Sequence, residues 1–181
     1  TFAAMCWAHL GIVAYASRHL IRPEMSEIFL SPDFILSRIG ALFILLTGFV
    51  VACSLTHAVA FFEREQANST ESNARSEKMF YLSAALLLLS MTFVFLCDNL
   101  GFLWISIEGT TLSSATLVYF SRTKHALEAT WKYLIICSVG IAFALFGTIL
   151  IFASSQHCTI LSEGSLSLVA LTKNATQLQY P

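Results

Sequence analysis

Charge is what this chain has least of. Only 12% of its 181 residues are Asp, Glu, Lys or Arg, and ten basic against eleven acidic residues leave a formal net charge of -1. A chain without a basic excess lacks the electrostatic footprint that a nucleic-acid backbone requires, which argues against nucleic-acid partners. Glycine is sparse at eight residues and never gathers into a phosphate-cradling loop. The five cysteines, Cys6, Cys53, Cys97, Cys137 and Cys158, stand singly, with no CxxC pair and no spacing that suggests iron–sulfur, zinc or a disulfide framework. They read as small apolar fillers. The sequence opens on Thr1 and runs at once into apolar residues without a charged leader, so a signal peptide is not supported and the chain reads as a piece of something longer.

What the sequence has in quantity is apolar length. Hydrophobic residues make up 56% of it and the mean hydropathy is +0.72, outside the range of soluble globular domains. About 20 apolar residues at 1.5 Å each cross a hydrocarbon core of roughly 30 Å. By that measure segment A, Phe2 to about Tyr15, is truncated, and four segments are full length: B (39–62), C (79–97), D (100–120) and E (133–153). Residues 1–62 thus hold the N-terminal spans, 63–78 a polar connection rich in charge, Asn and Ser, 79–153 three further spans, and 154–181 an extramembrane tail. Only Asp98, Asn99 and Leu100 join C to D, which forces an antiparallel hairpin, and Asp98 and Asn99 are natural caps for the helix that follows. The expected fold is an all-α integral membrane protein, an antiparallel bundle of about four full helices and one truncated one. The B–C and D–E connections carry Arg64, Arg75, Lys78, Arg122 and Lys124, and the opposite side Arg18, Arg22, Arg38 and Lys173. Five against four places the first side in the cytoplasm.

Segment D contains the residues that ask for a function. Glu108 falls near its middle, surrounded by Ser106, Thr110, Thr111, Ser113, Ser114 and Thr116. A carboxylate at that depth must face protein or trapped water, and intramembrane acids are functional by default. Burial raises a carboxyl pKa and a nearby lysine lowers it, so the proton occupancy of Glu108 would follow the approach of a cation, as a proton relay needs. The competing reading is a structural acid hydrogen-bonded to Ser or Thr; in the relay reading Thr111, Ser114 and His57 are the accessory polar groups. Small residues four apart, Gly109/Ser113 and Thr110/Ser114, let another helix come close.

Lys132 opens segment E in "EATWKYLIICSVG". It reads equally as a relay group or as an interfacial anchor whose ammonium snorkels outward beside Trp131 and Tyr133. Gly140, Ala144 and Gly147 form a small-residue stripe that suits helix packing. His57, about a turn and a half from the end of B, reads as an interface residue in preference to a proton carrier. His9, His19, His125 and His157 form no ligand spacing, and haem ligation would need a second deep histidine.

The stretch "CDNLGFLWISIEGTTLSSATLVYFSRTKHALEATWKYLIICSVGIAFALFGTILIF", residues 97–152, resembles the antiporter-like membrane subunits shared by respiratory complex I, Mrp-type cation/proton antiporters and membrane-bound hydrogenases, with the flavour of component F of hydrogenase 4. Such subunits carry a "NNL..LW..IE.TTL.SA.LV" helix, a connection with "SLEAAWKY" and an "ICSVGIA..L.GT" helix, and each part has its match here. The resemblance implies a many-helix proton-conducting subunit in which Glu108 pairs with a lysine on a later, broken helix, and in which Lys132 matches a lysine recurring at the start of the next helix. Segments B to E would be the third to sixth helices of that pattern. The broken helix, its lysine and the second inverted repeat do not follow Ala153, and inverted repeats build their site at their interface, so one incomplete repeat is not expected to conduct protons alone.

The reading is therefore a fragment or truncated form of a proton-translocating subunit in a bacterial or archaeal inner membrane, a multi-pass protein that moves protons or Na⁺. It is not catalytic by itself; its partners are other membrane subunits and the bilayer, and it binds no flavin, quinone or metal, the redox centres lying in other chains. A Mrp-type or inorganic-carbon-uptake subunit is the near alternative. A non-transporting scaffold is the distant one, in which Asn68-Ser-Thr and Asn174-Ala-Thr would be glycosylation acceptors; their placement on opposite faces counts against it.

Overall fold

The computed structural model describes residues 7, 8, 10, 11, 14, 18, 27–31, 33–66, 73–156 and 166–175. Most of segment A, the Asn68 sequon, Cys6, Cys158, His9, His19 and His157 lie outside the described residues.

A short antiparallel hairpin, which nothing in the hydropathy pattern suggested, lies between the helical residues of segment A and the long helices that follow. Its strands are β1 (Glu27–Ser31) and β2 (Phe34–Ser37), with Phe29 opposite Ile35 and a bulge between Phe29 and Ser31. Helix α1 (Arg38–Gln66) follows directly and contains segment B. Its start is capped by Ser37, whose Oγ accepts from the Gly40 amide at 3.0 Å. Helix α2 (Asn73–Leu96) contains segment C except Cys97, which bridges to Phe34, and α3 (Leu100–Val118), extended by a 3-10 turn at Tyr119–Ser121, contains segment D. Helix α4 (Lys124–Gln156) contains segment E, and a two-turn helix α5 (Leu168–Lys173) lies in the tail.

The helices overrun the apolar segments. At 29 residues α1 is about 44 Å long, well beyond a hydrocarbon core of roughly 30 Å, because hydrogen bonding along the axis continues as long as the residues favour it. The same holds for α4, which begins at Lys124 and not at 133. Lys132 thus lies two turns inside a helix instead of opening one.

Two aromatic clusters show that successive helices run antiparallel. At one end the Phe62 ring meets those of Phe80, Tyr81 and Phe120, joining the end of α1, the start of α2 and the end of α3. At the other end Phe34 contacts Phe93 and Phe102, and Phe43 stacks on Phe95. Between them the core is thin. Ala52, Leu55 and Ala84 form one buried cluster, with Leu10 of segment A against it, and Leu36, Ala41 and Ile44 form another. Gly40 permits the closest approach there, since a Cβ would sit 2.8 Å from the Phe95 carbonyl oxygen.

About half of the large apolar side chains among the described residues face outward, Ile136 and Phe143 among them at 73% and 72% exposure. That inversion is expected where lipid is the solvent. Three helical stretches are long and apolar enough to cross a membrane: Arg38–Arg64, Glu77–Leu96 and Lys124–Gln156. Helix α3 has the length, 19 residues or about 28 Å, but its hydroxyls and carboxylate dilute its hydropathy. The protein is a multi-pass, all-α membrane protein.

Candidate functional site

Helix α3 is the middle of the sheet-like row α2–α3–α4, and its polar residues are distributed between its neighbours. Glu108 sits eight residues into the helix, about 12 Å from its start, and its side chain is half-buried. Thr111 Oγ1 donates to the Glu108 carbonyl oxygen at 2.7 Å and lies 3.5 Å from its carboxylate Oε2. Among the described residues no cation pairs with this carboxylate.

Most hydroxyls around it return to their own helix. Thr110 donates to Ile107, Ser113 to Gly109 and Thr116 to Ser113, each at 2.7 Å. These bonds satisfy donors that lipid cannot. Ser114 does more: it donates to the Thr111 carbonyl at 3.0 Å and shares a 2.7 Å hydrogen bond with the Tyr133 hydroxyl on α4. A second fastener joins the same helices, the Trp104 indole donating to the Ile141 carbonyl at 3.0 Å. On the other side Gly109 lets α2 approach, and a Cβ there would meet Ser90 Oγ at 2.7 Å. The small-residue expectation is thus realised at Gly109. Trp104 and Tyr133 as cross-helix fasteners were not singled out from sequence; the signal was an aromatic residue with a polar tip on each of two helices joined by a short connection.

The other candidates stand apart from Glu108. Lys132 Nζ pairs with Glu128 Oε1 at 2.5 Å, one turn back on α4, with 70% and 61% of these side chains exposed. His57 is exposed on α1, and among the described residues it has no hydrogen-bond or ionic partner. Neither is joined to Glu108 by a hydrogen bond or ion pair. The stripe of Gly140 and Gly147 faces open space. No three His, Cys, Asp or Glu side chains converge among the described residues as a metal would require.

The end of α3 nearest β2 is tied by a polar knot. Asn99 caps α3 through its Oδ1, which accepts from the Gly101 amide at 2.9 Å, while its amide group donates to Asp33 at 2.9 Å. Asp98, expected as a cap for the same helix, caps α5 instead. Its carboxylate accepts from Ser167 Oγ and from the Val169 amide, and it is buried at 6% exposure. An Asp one residue before the N-cap points away from its own helix, and the tail supplies the partners.

Residues 97–179 match the profile of the NADH:quinone oxidoreductase/Mrp antiporter transmembrane family. The chain is 37% identical over 126 residues to a hydrogenase-4 component F homolog of Methylacidiphilum infernorum (isolate V4), an alignment covering 68% of this chain and 26% of that protein. A chain in the structure of the membrane-bound sulfane sulfur reductase, an archaeal respiratory membrane complex, shares its fold at a TM-score of 0.71 and 18% identity, over 98% of this chain and 34% of that one. The sequence therefore spans about a quarter of the length of the curated relative. Glu108, Thr111, Ser114 and Lys132 fall within the matched residues, and His57 precedes them.

Proposed function

We propose, from the premise that this chain belongs to the NADH:quinone oxidoreductase/Mrp antiporter membrane family, that it is part of an antiporter-like subunit that carries protons within a multi-subunit respiratory or hydrogenase-type membrane complex. The observation behind this is Glu108, a half-buried carboxylate at the centre of a membrane-length helix with no cationic partner among the described residues. A charged side chain at the middle of a bilayer costs about 2.5–3.5 kcal/mol or more, so it persists where it serves transport or meets a counter-charge.

In this scheme the partner is a lysine from the remainder of the longer protein. When that lysine approaches, the Glu108 carboxylate meets a counter-charge; when it withdraws, a lone charge is left at a depth where charge is costly. Thr111 lies against the carboxylate and Ser114 fastens α3 to α4, so these two hold the acid in place. Lys132, paired with Glu128 at an exposed level, stands as a charge at the mouth of the path. Electron transfer resides in other chains.

The test is Glu108→Gln in the full-length product assembled in its complex, with vesicle proton uptake and electron transfer measured together. Proton uptake should fall by about tenfold or more, a modest share of what a positioned proton-transfer group supplies, while Glu108→Asp keeps part of it. Uptake at the parental level in the Gln variant would dismiss the role of Glu108.

A further inference from the structure

A cavity of about 550 Å³ lies among the start of α2, the end of α3 and the start of α4. Its wall reaches along α3 to Leu112, one helical turn from Glu108, but no transport argument uses it. Its walls include Phe80, Leu112, Tyr119, Trp131 and Leu134, and Arg122 stands at its edge. The volume is that of a small-molecule site, for which about 300–1,000 Å³ is usual.

Apart from Tyr119, Trp131 and Arg122, the wall is apolar or spent. Of the four hydroxyls that line it, the three aliphatic ones are already spent on their own helices: Ser83 on the Met79 carbonyl at 2.8 Å, Thr116 on Ser113 at 2.7 Å and Thr130 on Ala126 at 2.7 Å. Leu112 and Trp131 are 52% and 59% exposed, so the cleft is reached from the bilayer side. Trp131 and Tyr119 mark the depth, since such rings settle where hydrocarbon gives way to headgroups.

Arg122 gives the cleft its charge. It follows the 3-10 turn in the left-handed region at φ 49°, with its amide bonded to the Tyr119 carbonyl at 2.9 Å, so the chain reverses there and presents the side chain at the rim. The guanidinium has no acidic partner among the described residues. Lys124, exposed two residues on, likewise has none, and Glu128 is occupied by Lys132. An apolar cleft at interfacial depth beneath unpaired cations has the complementarity of a lipid with an acyl chain below and a net negative headgroup above. A zwitterionic headgroup would bring a cation of its own against Arg122, whereas a phosphodiester without one offers a guanidinium two oxygens to grip.

We infer that the cleft between α2, α3 and α4 binds one anionic glycerophospholipid, its acyl chain against Leu112, Trp131 and Leu134 and its phosphate on Arg122. The site is independent of the proton-carrying reading.

The full-length product is reconstituted in vesicles of equal parts phosphatidylglycerol and phosphatidylcholine, with one or the other brominated on its acyl chains. Quenching that Trp131→Phe removes isolates the signal of Trp131. Brominated phosphatidylglycerol should quench it at about fivefold lower mole fraction than brominated phosphatidylcholine, the ratio that one cation near an anionic surface supplies. Arg122→Gln should abolish the preference, Arg122→Lys should keep most of it, and Arg64→Gln should leave it unchanged. Equal quenching by the two lipids, a preference that survives Arg122→Gln, or no quenching of Trp131 by either lipid would overturn the proposal, the last by showing that protein fills the cleft. Loss of the preference on adding inorganic phosphate alone would make this a free-anion site and overturn it too.

Discussion

At position 109 a side chain would run into Ser90. A Cβ on Gly109 would lie 2.7 Å from Ser90 Oγ and 3.3 Å from Ser90 Cβ, so α2 and α3 pack at a separation that leaves room for little beyond glycine. The Ser90 hydroxyl can rotate aside for one methyl but not for a branched side chain. Gly109→Val should therefore cost about 1–3 kcal/mol by overpacking, measured by equilibrium unfolding of the purified full-length protein, and Ser90→Ala in the same molecule should recover part of it. A Val variant of parental stability would mean the helices do not meet there. Because Glu108 is the adjacent residue, the contact also sets how the acid is turned. Lys132 illustrates the opposite extreme, since an exposed pair one helical turn apart, such as Lys132–Glu128, contributes only about 0.3–0.5 kcal/mol and positions little.

The element that organises one end of the molecule is the turn between α2 and α3. Asp33 accepts from the Asp98 amide through its carbonyl at 2.8 Å and from Asn99 through its carboxylate, tying the hairpin to the turn. Leu100 donates to the Leu166 carbonyl at 2.9 Å and Leu168 to the Asp98 carbonyl at 2.8 Å, tying the tail to it. Three residues thus hold two helices, a hairpin and α5. Asp98→Ala leaves Ser167 Oγ and the Val169 amide without their acceptor, a loss of about 1–3 kcal/mol. The expected readout is local: amide exchange in 166–175 accelerates while the centre of α2 stays protected. Unchanged exchange in the tail would show that α5 is held by something other than Asp98.

Over the whole molecule the alternation of the helices fixes sidedness. The Phe62, Phe80 and Phe120 rings bring Arg64 and Ser121 to one face, and the α2–α3 turn carries Ser167 on the other. In a full-length background with every native cysteine changed to Ala, Cys6, Cys53, Cys97, Cys137 and Cys158 among them, Arg64→Cys and Ser121→Cys should react with a membrane-impermeant maleimide from the same side, and Ser167→Cys from the opposite side. Labelling of the first two from different sides would break the topology. Helix α4 closes the row with only Ser155 of its 33 residues buried. Its apolar face is therefore available to lipid or to other helices.

Much of this was legible along the chain. Apolar runs of membrane length dictated the helices, because in hydrocarbon a backbone can satisfy its own hydrogen bonds only as helix or closed barrel. The brevity of the C–D connection dictated the hairpin, and the stretch 97–152 carried the family resemblance. Period and hydropathy could not reveal how polar groups are shared between distant segments. The β1–β2 hairpin, the capture of α5 by Asp98, the Ser114–Tyr133 bond and the Arg122 cleft each join residues that only folding brings together. A buried or lipid-facing polar group takes whichever partner geometry puts within reach. Sequence thus fixed which groups need partners, and the tertiary structure decided which ones they have.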